Sequence, residues 1–187
     1  MSLTVCVYLG ARAGHGDQWA EAARAAGRAI AEAGHTLVYG GGQLGLMGIL
    51  ADSSLEAGGR VVGVIPQALV DLEQAHPKLH EQHLVASMHQ RKAKLTELAD
   101  AFLVLPGGFG TLDELFEAIT WRQLRFHAKP IGLWNVDGYY DKLWAFLQDG
   151  RQLGFMPEST FEGLTIGDDL GLMLHSLAAM GNAAGER

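Results

Sequence analysis

Short apolar runs alternate with longer amphipathic stretches along most of the chain. Seven runs rich in β-branched and aromatic residues predict strands, and six stretches with apolar residues at helical spacing predict helices. The predicted strands cover residues 4–9, 36–39, 61–65, 83–86, 101–105, 131–134 and 164–166. The predicted helices cover residues 17–33, 46–57, 89–98, 111–125, 139–148 and 170–179. Between the third and fourth strands, residues 67–81 predict a loop with one helical turn at its start.

This alternation indicates the fold class. Strands that are apolar throughout are buried on both faces, which is typical of parallel strands covered by helices. The sequence therefore predicts an α/β fold, a three-layer, Rossmann-like sandwich around a parallel sheet, with its ligand beyond the carboxyl ends of the strands. No low-complexity linker divides the chain, so residues 1–187 are predicted to form a single nucleotide-binding domain with a frayed end at 181–187.

Composition narrows the classes of function. The chain of 187 residues is 48% hydrophobic and 19% charged, which is ordinary for a globular protein. A net charge of −7 disfavours binding to nucleic acid or to an anionic membrane. No apolar run approaches the ~20 residues of a membrane helix. The single cysteine, Cys6, cannot form an internal disulfide, and the amino terminus lacks a secretory pattern, so we expect a cytoplasmic protein.

Glycine is unusually frequent, with 25 residues, and several of them follow predicted strands. In residues 105–114 (LPGGFGTLDE), a strand ends, a glycine-rich turn follows, and a helix is predicted to begin at Thr111. The free N–H groups and positive end of such a helix bind phosphate, and glycine allows the phosphate to approach the backbone. The alternative is a capping box, in which Thr111 caps the helix and Glu114 reaches back to it. The glycine run favours phosphate binding, because a cap does not need one.

A second glycine segment, residues 40–48 (GGGQLGLMG), follows the second predicted strand. It contains G-x-G-x-x-G, which alone is a weak signal for a dinucleotide site. The segment does not follow the first strand, and the third strand ends in Pro66 without an acidic residue for a ribose, so a dinucleotide is disfavoured. A tight turn with close helix packing is one explanation. We favour a second wall of a mononucleotide site that includes Gly41 and Gly42.

A third segment, residues 87–92 (SMHQRK), places two cations at the beginning of a predicted helix, where they oppose the helix dipole. A solvated charged face is the usual explanation. A nearby anion is the other, since Arg91 could bind a carboxylate or a phosphate in a fork geometry.

Eight histidines raise the question of a metal site. His76, His80 and His83 have helix-like spacing, but Pro77 lies between the first two and no cysteine joins them. A solvated loop is favoured over a metal centre, and the sequence predicts neither a metal nor a cofactor.

The chain resembles the LOG family at residues 106–114, where PGGFGTLDE matches the family signature P-G-G-x-G-T-x-x-E. Further matches follow the family's order and spacing over residues 4–160. They are VYGGG at 38–42, GLMG at 45–48, IP at 65–66, MHQRK at 88–92, ADAF at 99–102, TW at 120–121, H-x-K-P at 127–130 and NVDGYY at 135–140.

The resemblance implies an activity and a set of site residues. Family members are cytokinin riboside 5′-monophosphate phosphoribohydrolases, which cleave the N-glycosidic bond of N6-substituted AMP to free base and ribose 5-phosphate. The resemblance also implies a homodimer and a catalytic pair, Arg91 and Glu114. The positions that match the family's binding residues are Gly107, Gly108, Gly110 and Thr111 in the phosphate loop, Met88 and Lys92 beside the nucleotide, and Glu73 after the Ile-Pro pair.

Two points qualify the resemblance. After the first strand the family shows Cys-Gly-Ser, whereas this chain has Leu9-Gly10-Ala11 and lacks the serine hydroxyl. The family's older label, lysine decarboxylase, is not supported, because a pyridoxal-phosphate enzyme of that kind needs a longer chain and a Schiff-base lysine.

The resulting hypothesis is N-glycoside hydrolysis of a nucleoside 5′-monophosphate. Glu114 would stabilise the oxocarbenium-like ribose and activate water, and Arg91 would position that carboxylate and the ribose. A nucleotide carrier of the same fold is the alternative from another class. A phosphoribohydrolase acting on plain AMP is a third possibility.

Overall fold

The computed structural model describes residues 2–185 and arranges seven strands in one parallel sheet. The sheet order is β4-β3-β2-β1-β5-β6-β7. The strands are β1 (Thr4–Tyr8), β2 (Thr36–Tyr39), β3 (Val61–Pro66), β4 (Glu81–Val85), β5 (Ala101–Val104), β6 (Ile131–Trp134) and β7 (Leu164–Gly167). Every adjacent pair is parallel. The predicted Rossmann-like α/β fold is confirmed.

Helices cover both faces of the sheet. They are α1 (Gln18–Glu32), α2 (Gly45–Glu56), α3 (Met88–Leu98), α4 (Phe109–Gln123), α5 (Asp141–Gln152), α6 (Glu158–Phe161) and α7 (Leu170–Gly185). Successive β1 residues enter different cores, because side chains alternate along a strand. Val5 and Val7 belong to a core with α1, α2 and α7, whereas Cys6 and Tyr8 belong to a core with α3, α4 and α5.

Several elements differ from the predictions. α4 begins at Phe109 instead of Thr111. α5 begins at Asp141 instead of residue 139, because a 3₁₀ turn at Val136–Gly138 with Asp137 at φ 52° comes first. The short helix α6 was not predicted. α7 continues to Gly185 across residues predicted to be frayed, and Glu186 and Arg187 lie outside the described residues.

The strand order places a switch point at β1, which pairs with β2 on one side and β5 on the other. The loops after β1 and β5 meet there, since the Gly10 N–H donates to the Pro106 carbonyl over 3.1 Å. A Cβ atom at Gly10 would lie 3.3 Å from the Gly107 Cα, so the two backbones are in close contact. In doubly wound sheets this crevice at the carboxyl ends of the strands is where ligands bind.

Helices α1 and α2 approach closely at Gly27. A Cβ atom there would lie 2.2 Å from the Leu50 carbonyl oxygen and 3.0 Å from the Ser54 nitrogen. These are backbone atoms of α2, so a side chain at Gly27 can be accommodated only if the two helices separate.

We expect Gly27→Ala to lower the free energy of unfolding by about 1–3 kcal/mol, the usual cost of overpacking a core. In an uncrowded helix interior the same change stabilises by about 1 kcal/mol. Gly181→Ala in α7 is the matched control, because a Cβ there lies at ordinary van der Waals distance from its neighbours, 3.5 Å from the Leu3 side chain and 3.6 Å from the Asp100 carbonyl oxygen. Urea denaturation of both variants measures the difference. Equal or higher stability of Gly27→Ala would contradict the close helix contact.

Candidate active site

A cavity of about 800 Å³ lies at the carboxyl edge of the sheet, beside the switch point. This volume is within the usual range for small-molecule sites. The lining comes from the loops after β1, β2, β3 and β5, from the first turns of α2, α3 and α4, and from single residues of α1 and the segment before α5. Its residues include Ala11, Arg12, His15, Trp19, Gly40, Met47, Leu69, Glu73, Met88, Arg91, Gly107, Gly108, Phe109, Gly110, Thr111, Asp113, Glu114 and Tyr139.

The loop after β5 forms one wall of the cavity and leads into α4. Gly108 is the N-cap, in an extended conformation, and no side chain caps the helix. The first N–H that bonds back into the loop is that of Leu112, which donates to the Gly108 carbonyl over 3.1 Å. Within residues 2–185, the N–H groups of 108–111 therefore have no backbone acceptor, as at the start of any helix. Free N–H groups at the start of a helix are suited to bind an anion, and these lie at the cavity wall.

The alternative prediction of a capping box is wrong. The helix begins two residues before Thr111, so this residue is inside the first turn and is buried. A Cβ atom at Gly107 would lie 2.1 Å from the Thr111 Oγ1, which shows how tightly the threonine packs under the loop. Glu114 is consequently one turn into the helix and lines the cavity instead of bonding to a cap.

Two glycines of the wall are not explained by the protein's own packing. A Cβ atom at Gly108 or Gly110 would have no neighbour within 4 Å, and neither residue has a positive φ. Gly107, in contrast, is required by its contacts with Thr111 and Gly10. Open space at Gly108 and Gly110 is what a ligand lying against the backbone would use.

The Glu114 carboxyl has an unusual environment. Burial raises its pKa to about 7, and the charges of Asp113 and Glu73 act in the same direction, whereas Arg91 and Lys92 oppose them. Its carboxylate forms no ion pair or side-chain hydrogen bond within residues 2–185. A carboxyl that titrates near neutral pH and faces a cavity is suited to act as a general base.

Arg91, at the start of α3, is 5% exposed and is held by three hydrogen bonds. Its Nε donates to the Val64 carbonyl over 3.1 Å, and its Nη2 donates to the Gly40 carbonyl over 2.8 Å. Nη2 also pairs with the Glu73 carboxylate at 3.0 Å. Nη1 has only a long contact of 3.9 Å with the Met88 sulfur, so this nitrogen is the part of the guanidinium that is available to a ligand.

Glu73 reaches Arg91 from the loop after β3, and the glycine segment after β2 holds this loop in place. The Gln43 N–H donates to the Glu73 carbonyl, Gly42 forms a β-bridge with Ala75, and the His76 N–H donates to the Gly41 carbonyl. Gly41 and Gly42, predicted as a wall of the nucleotide site, therefore lie outside the lining of the cavity and anchor the loop that carries Glu73. Their neighbour Gly40 lines the cavity instead.

Lys92 also lies outside the cavity lining, although the resemblance implies a position beside the nucleotide. Its Nζ pairs with Asp113 at 3.0 Å and with Glu117 at 2.9 Å. Burial alone lowers the pKa of Lys92, but the hydrogen bonds and charges of Glu117 and Asp113 outweigh it, so the pKa is raised. Lys92 thus links α3 to α4, and it sets the position of the two helices that carry Arg91 and Glu114.

Several cavity residues were not predicted from the sequence. The Tyr139 hydroxyl donates to the Gly107 carbonyl over 2.6 Å, and its ring meets the Trp19 ring edge-on at 5.7 Å between centroids. Arg12, His15 and Leu69 also line the cavity. No sequence pattern marks these side chains, except that Tyr139 belongs to the NVDGYY match.

The histidines of the predicted loop have separate partners. The His76 Nε2 lies 3.2 Å from Asp52, the His80 Nδ1 accepts from the Val61 N–H, and the His83 Nε2 lies 2.9 Å from Glu81. In the part of the chain that the structure describes, no three histidine, cysteine or acidic side chains are grouped to hold a metal ion.

Comparison with known proteins gives the chain its relatives. A family model described as "Possible lysine decarboxylase" matches residues 47–177. A rice protein named probable cytokinin riboside 5′-monophosphate phosphoribohydrolase LOGL1 is 47% identical over 152 residues, which are 81% of this chain and 68% of the rice protein. A cytokinin riboside 5′-monophosphate phosphoribohydrolase of Rhodococcoides fascians is 44% identical over 168 residues, which are 89% of this chain and 85% of the relative.

Solved structures agree on the fold. The structural-genomics target TM1055 superposes with a TM-score of 0.60 at 25% identity, over 76% of this chain and 80% of that one. A molybdenum cofactor carrier protein from Chlamydomonas reinhardtii superposes with a TM-score of 0.71 over 98% of this chain and 99% of the carrier, and at 18% identity it shares the fold alone. The family model and the two sequence relatives together show that this chain belongs to the LOG family.

Proposed function

We propose that the protein hydrolyses the N-glycosidic bond of a nucleoside 5′-monophosphate, and that N6-substituted AMP is its preferred substrate. The observation that carries the proposal is Glu114, a partly buried carboxyl with a pKa of about 7 in the same cavity as the phosphate-binding end of α4. The names of its relatives supply the substrate class, since both are called cytokinin riboside 5′-monophosphate phosphoribohydrolases.

Binding begins with the 5′-phosphate at the free N–H groups of residues 108–111. Glu114 follows the last of these by one helical turn, so a phosphate held there brings the ribose toward the carboxyl group. Interactions with the phosphate, which does not react, thereby position the reacting sugar. The free Nη1 of Arg91 faces the same space, and it can donate to a ribose hydroxyl or to the Glu114 carboxylate.

The chemical step breaks the bond between C1′ of the ribose and the base nitrogen. The base leaves with the bonding electron pair, and positive charge develops on the ribose as an oxocarbenium-like state. Ionised Glu114 stabilises this charge and removes a proton from the water that attacks C1′. The products are the free base, which takes up one proton, and ribose 5-phosphate.

A nucleotide carrier of the same fold is the alternative. A carrier needs the phosphate-binding wall and a place for the base, but it has no use for a buried carboxyl that lacks a partner, since burying such a group is costly. The environment of Glu114 therefore favours the enzyme.

We expect the purified protein to release base from AMP or from N6-isopentenyl-AMP, and Glu114→Gln to lower this turnover by about 10²–10⁴-fold. Chromatography of the free base measures both reactions. AMP binding to the variant, measured by calorimetry, should stay close to the wild-type value. Near-normal turnover by the folded variant would remove Glu114 from the mechanism, and AMP binding without any base release by the wild type would favour the carrier.

The same carboxyl predicts a pH dependence. The pH dependence of kcat/KM reflects the pKa values of the free enzyme. We therefore expect kcat/KM to fall as the pH drops through about 7, where Glu114 becomes protonated. The nucleotide phosphate itself titrates near ~6. Because Glu114→Gln lacks the carboxyl group, the pH profile of its residual activity shows the contribution of the phosphate alone. A wild-type profile that coincides with the variant's profile in shape would contradict the assignment.

Thermal stability should change in the opposite direction to activity. The folded-state pKa of about 7 lies above the ordinary value of 4.5, so ionisation of Glu114 destabilises the fold as the pH rises between these values. Glu114→Gln should therefore melt at a higher temperature than the wild type at about pH 8, and this difference should shrink below about pH 5. Differential scanning calorimetry at both pH values tests this. If Glu114→Gln melts at a lower temperature than the wild type at about pH 8, ionised Glu114 stabilises the fold and the expectation is wrong.

Because the space at Gly110 is open, we expect a side chain there to weaken nucleotide binding without destabilising the fold. Gly110→Ala adds a methyl group that meets no protein atom within 4 Å and would fill space that we assign to the phosphate. We expect KM for AMP to rise about tenfold or more, as when a charge-assisted hydrogen bond is lost. The melting temperature should be unchanged or higher, because alanine favours a helix. An unchanged KM would place the phosphate elsewhere.

The predicted homodimer and cytoplasmic location stay predictions. On α4 and the turn after it, Phe116, Leu124 and Phe126 are 37%, 55% and 73% exposed, and a second protomer could cover them. Within residues 2–185 no helix is long and apolar enough to span a membrane.

A further inference from the structure

The charges of the cavity are poorly matched to a phosphate. A nucleoside monophosphate brings a charge of about −1.5 to −2. Three carboxylates, Glu73, Asp113 and Glu114, line the same cavity. Helix-end N–H groups carry only partial positive charge. A full positive charge beside these N–H groups would offset the three carboxylates and favour the dianion.

Arg91 is not suited to be that cation. Its side chain is 6% exposed, and both Nε and Nη2 are occupied by the Val64 and Gly40 carbonyls and by Glu73. A Cβ atom at Gly40 would lie 2.2 Å from Nη2, so the guanidinium is fixed against the strand ends. Its charge is already compensated by the Glu73 carboxylate.

Arg12 is the other arginine among the described lining residues. It follows β1 on the loop in which Gly10 touches Gly107 of the proposed phosphate wall. The side chain is exposed, and within residues 2–185 it forms no ion pair. Its neighbour Ala11 also lines the cavity, but a methyl group cannot bind a phosphate.

The loop that carries Arg12 is held at both ends. A Cβ atom at Gly45 would lie 1.9 Å from the Ala11 carbonyl oxygen and 3.5 Å from the Arg12 Cα, so the start of the loop packs on α2. At the other end the Trp19 Nε1 donates to the His15 carbonyl over 2.8 Å. The Arg12 backbone is therefore positioned by the fold, and only the side chain has to move to reach a ligand.

We infer that Arg12 binds the 5′-phosphate opposite the N–H groups of residues 108–111, and that it selects nucleotides over nucleosides. The inference rests on the proposed site. Arg12 makes no contact with the glycosidic bond, so it contributes to binding and not to the chemical step. Loss of Arg12 should consequently raise KM and leave kcat nearly unchanged.

The experiment compares AMP with adenosine on four proteins, the wild type, Arg12→Ala, Arg12→Lys and Arg24→Ala. Arg24, on the exposed face of α1 and outside the cavity lining, controls for the loss of one positive charge. Calorimetry gives the dissociation constants, and base release gives kcat and KM. We expect Arg12→Ala to weaken AMP binding about tenfold or more, as for a hydrogen bond to a charged group, without weakening adenosine binding. Arg12→Lys should recover part of the loss, and Arg24→Ala should resemble the wild type.

Other results would overturn the inference. If Arg12→Ala and Arg24→Ala lower AMP affinity equally, the effect is long-range electrostatics and Arg12 does not bind the phosphate. If Arg12→Ala weakens AMP and adenosine equally, the residue holds another part of the nucleotide.

The test also separates this inference from the proposed reaction. A wild type that binds AMP through Arg12 but releases no base would support the phosphate ligand and refute the hydrolase. If the wild type releases base and Arg12→Ala binds AMP as tightly as the wild type does, the hydrolase is supported and Arg12 is refuted as the phosphate ligand. A wild type that does not distinguish AMP from adenosine would refute both.

Discussion

The buried guanidinium of Arg91 is the interaction on which the site depends. An arginine with so little exposure is tolerated only if its N–H groups are satisfied, because an unpaired buried charge is costly. Two of its partners are main-chain carbonyls at the ends of neighbouring strands, at Gly40 and Val64, and the third is the carboxylate of Glu73. One side chain thus joins the sheet edge, the first turn of α3 and the loop after β3. The geometry of the cavity follows from that junction.

This junction explains why the glycine segment after β2 is needed. Gly40 gives the guanidinium room, whereas Gly41, at φ 77°, turns the chain so that its carbonyl accepts from the His76 N–H. The same segment therefore satisfies Arg91 directly and holds the loop that brings Glu73 to it. Close approach of a protein side chain, and not of a ligand, accounts for glycine here. On the opposite wall the open space at Gly108 and Gly110 has no such internal explanation.

The sequence was sufficient to predict the fold and the position of the glycine-rich wall after β5, because apolar periodicity and glycines after strands are local signals. It was insufficient where the outcome depends on the direction in which a side chain points. Arg91 and Lys92 are neighbours in a motif, but successive helix residues point about 100° apart, so Arg91 faces the sheet edge and Lys92 faces α4. The start of α4 was misplaced because Gly108 caps without a side chain. Trp19 and Tyr139 come together only through the tertiary fold, which leaves no local pattern to detect.

Two consecutive tyrosines before α5 have a consequence for how a ligand is received. The Tyr140 hydroxyl donates to the Leu105 carbonyl and the Tyr139 hydroxyl donates to the Gly107 carbonyl, both over 2.6 Å. The Leu105–Pro106 and Gly107–Gly108 peptide planes are therefore oriented before anything binds. A glycine-rich loop would otherwise lose much conformational entropy on ordering, and this loss would subtract from affinity. With the loop already ordered, the free and ligand-bound backbones should nearly coincide, and desolvation of the ligand should limit the affinity of the proposed phosphate wall.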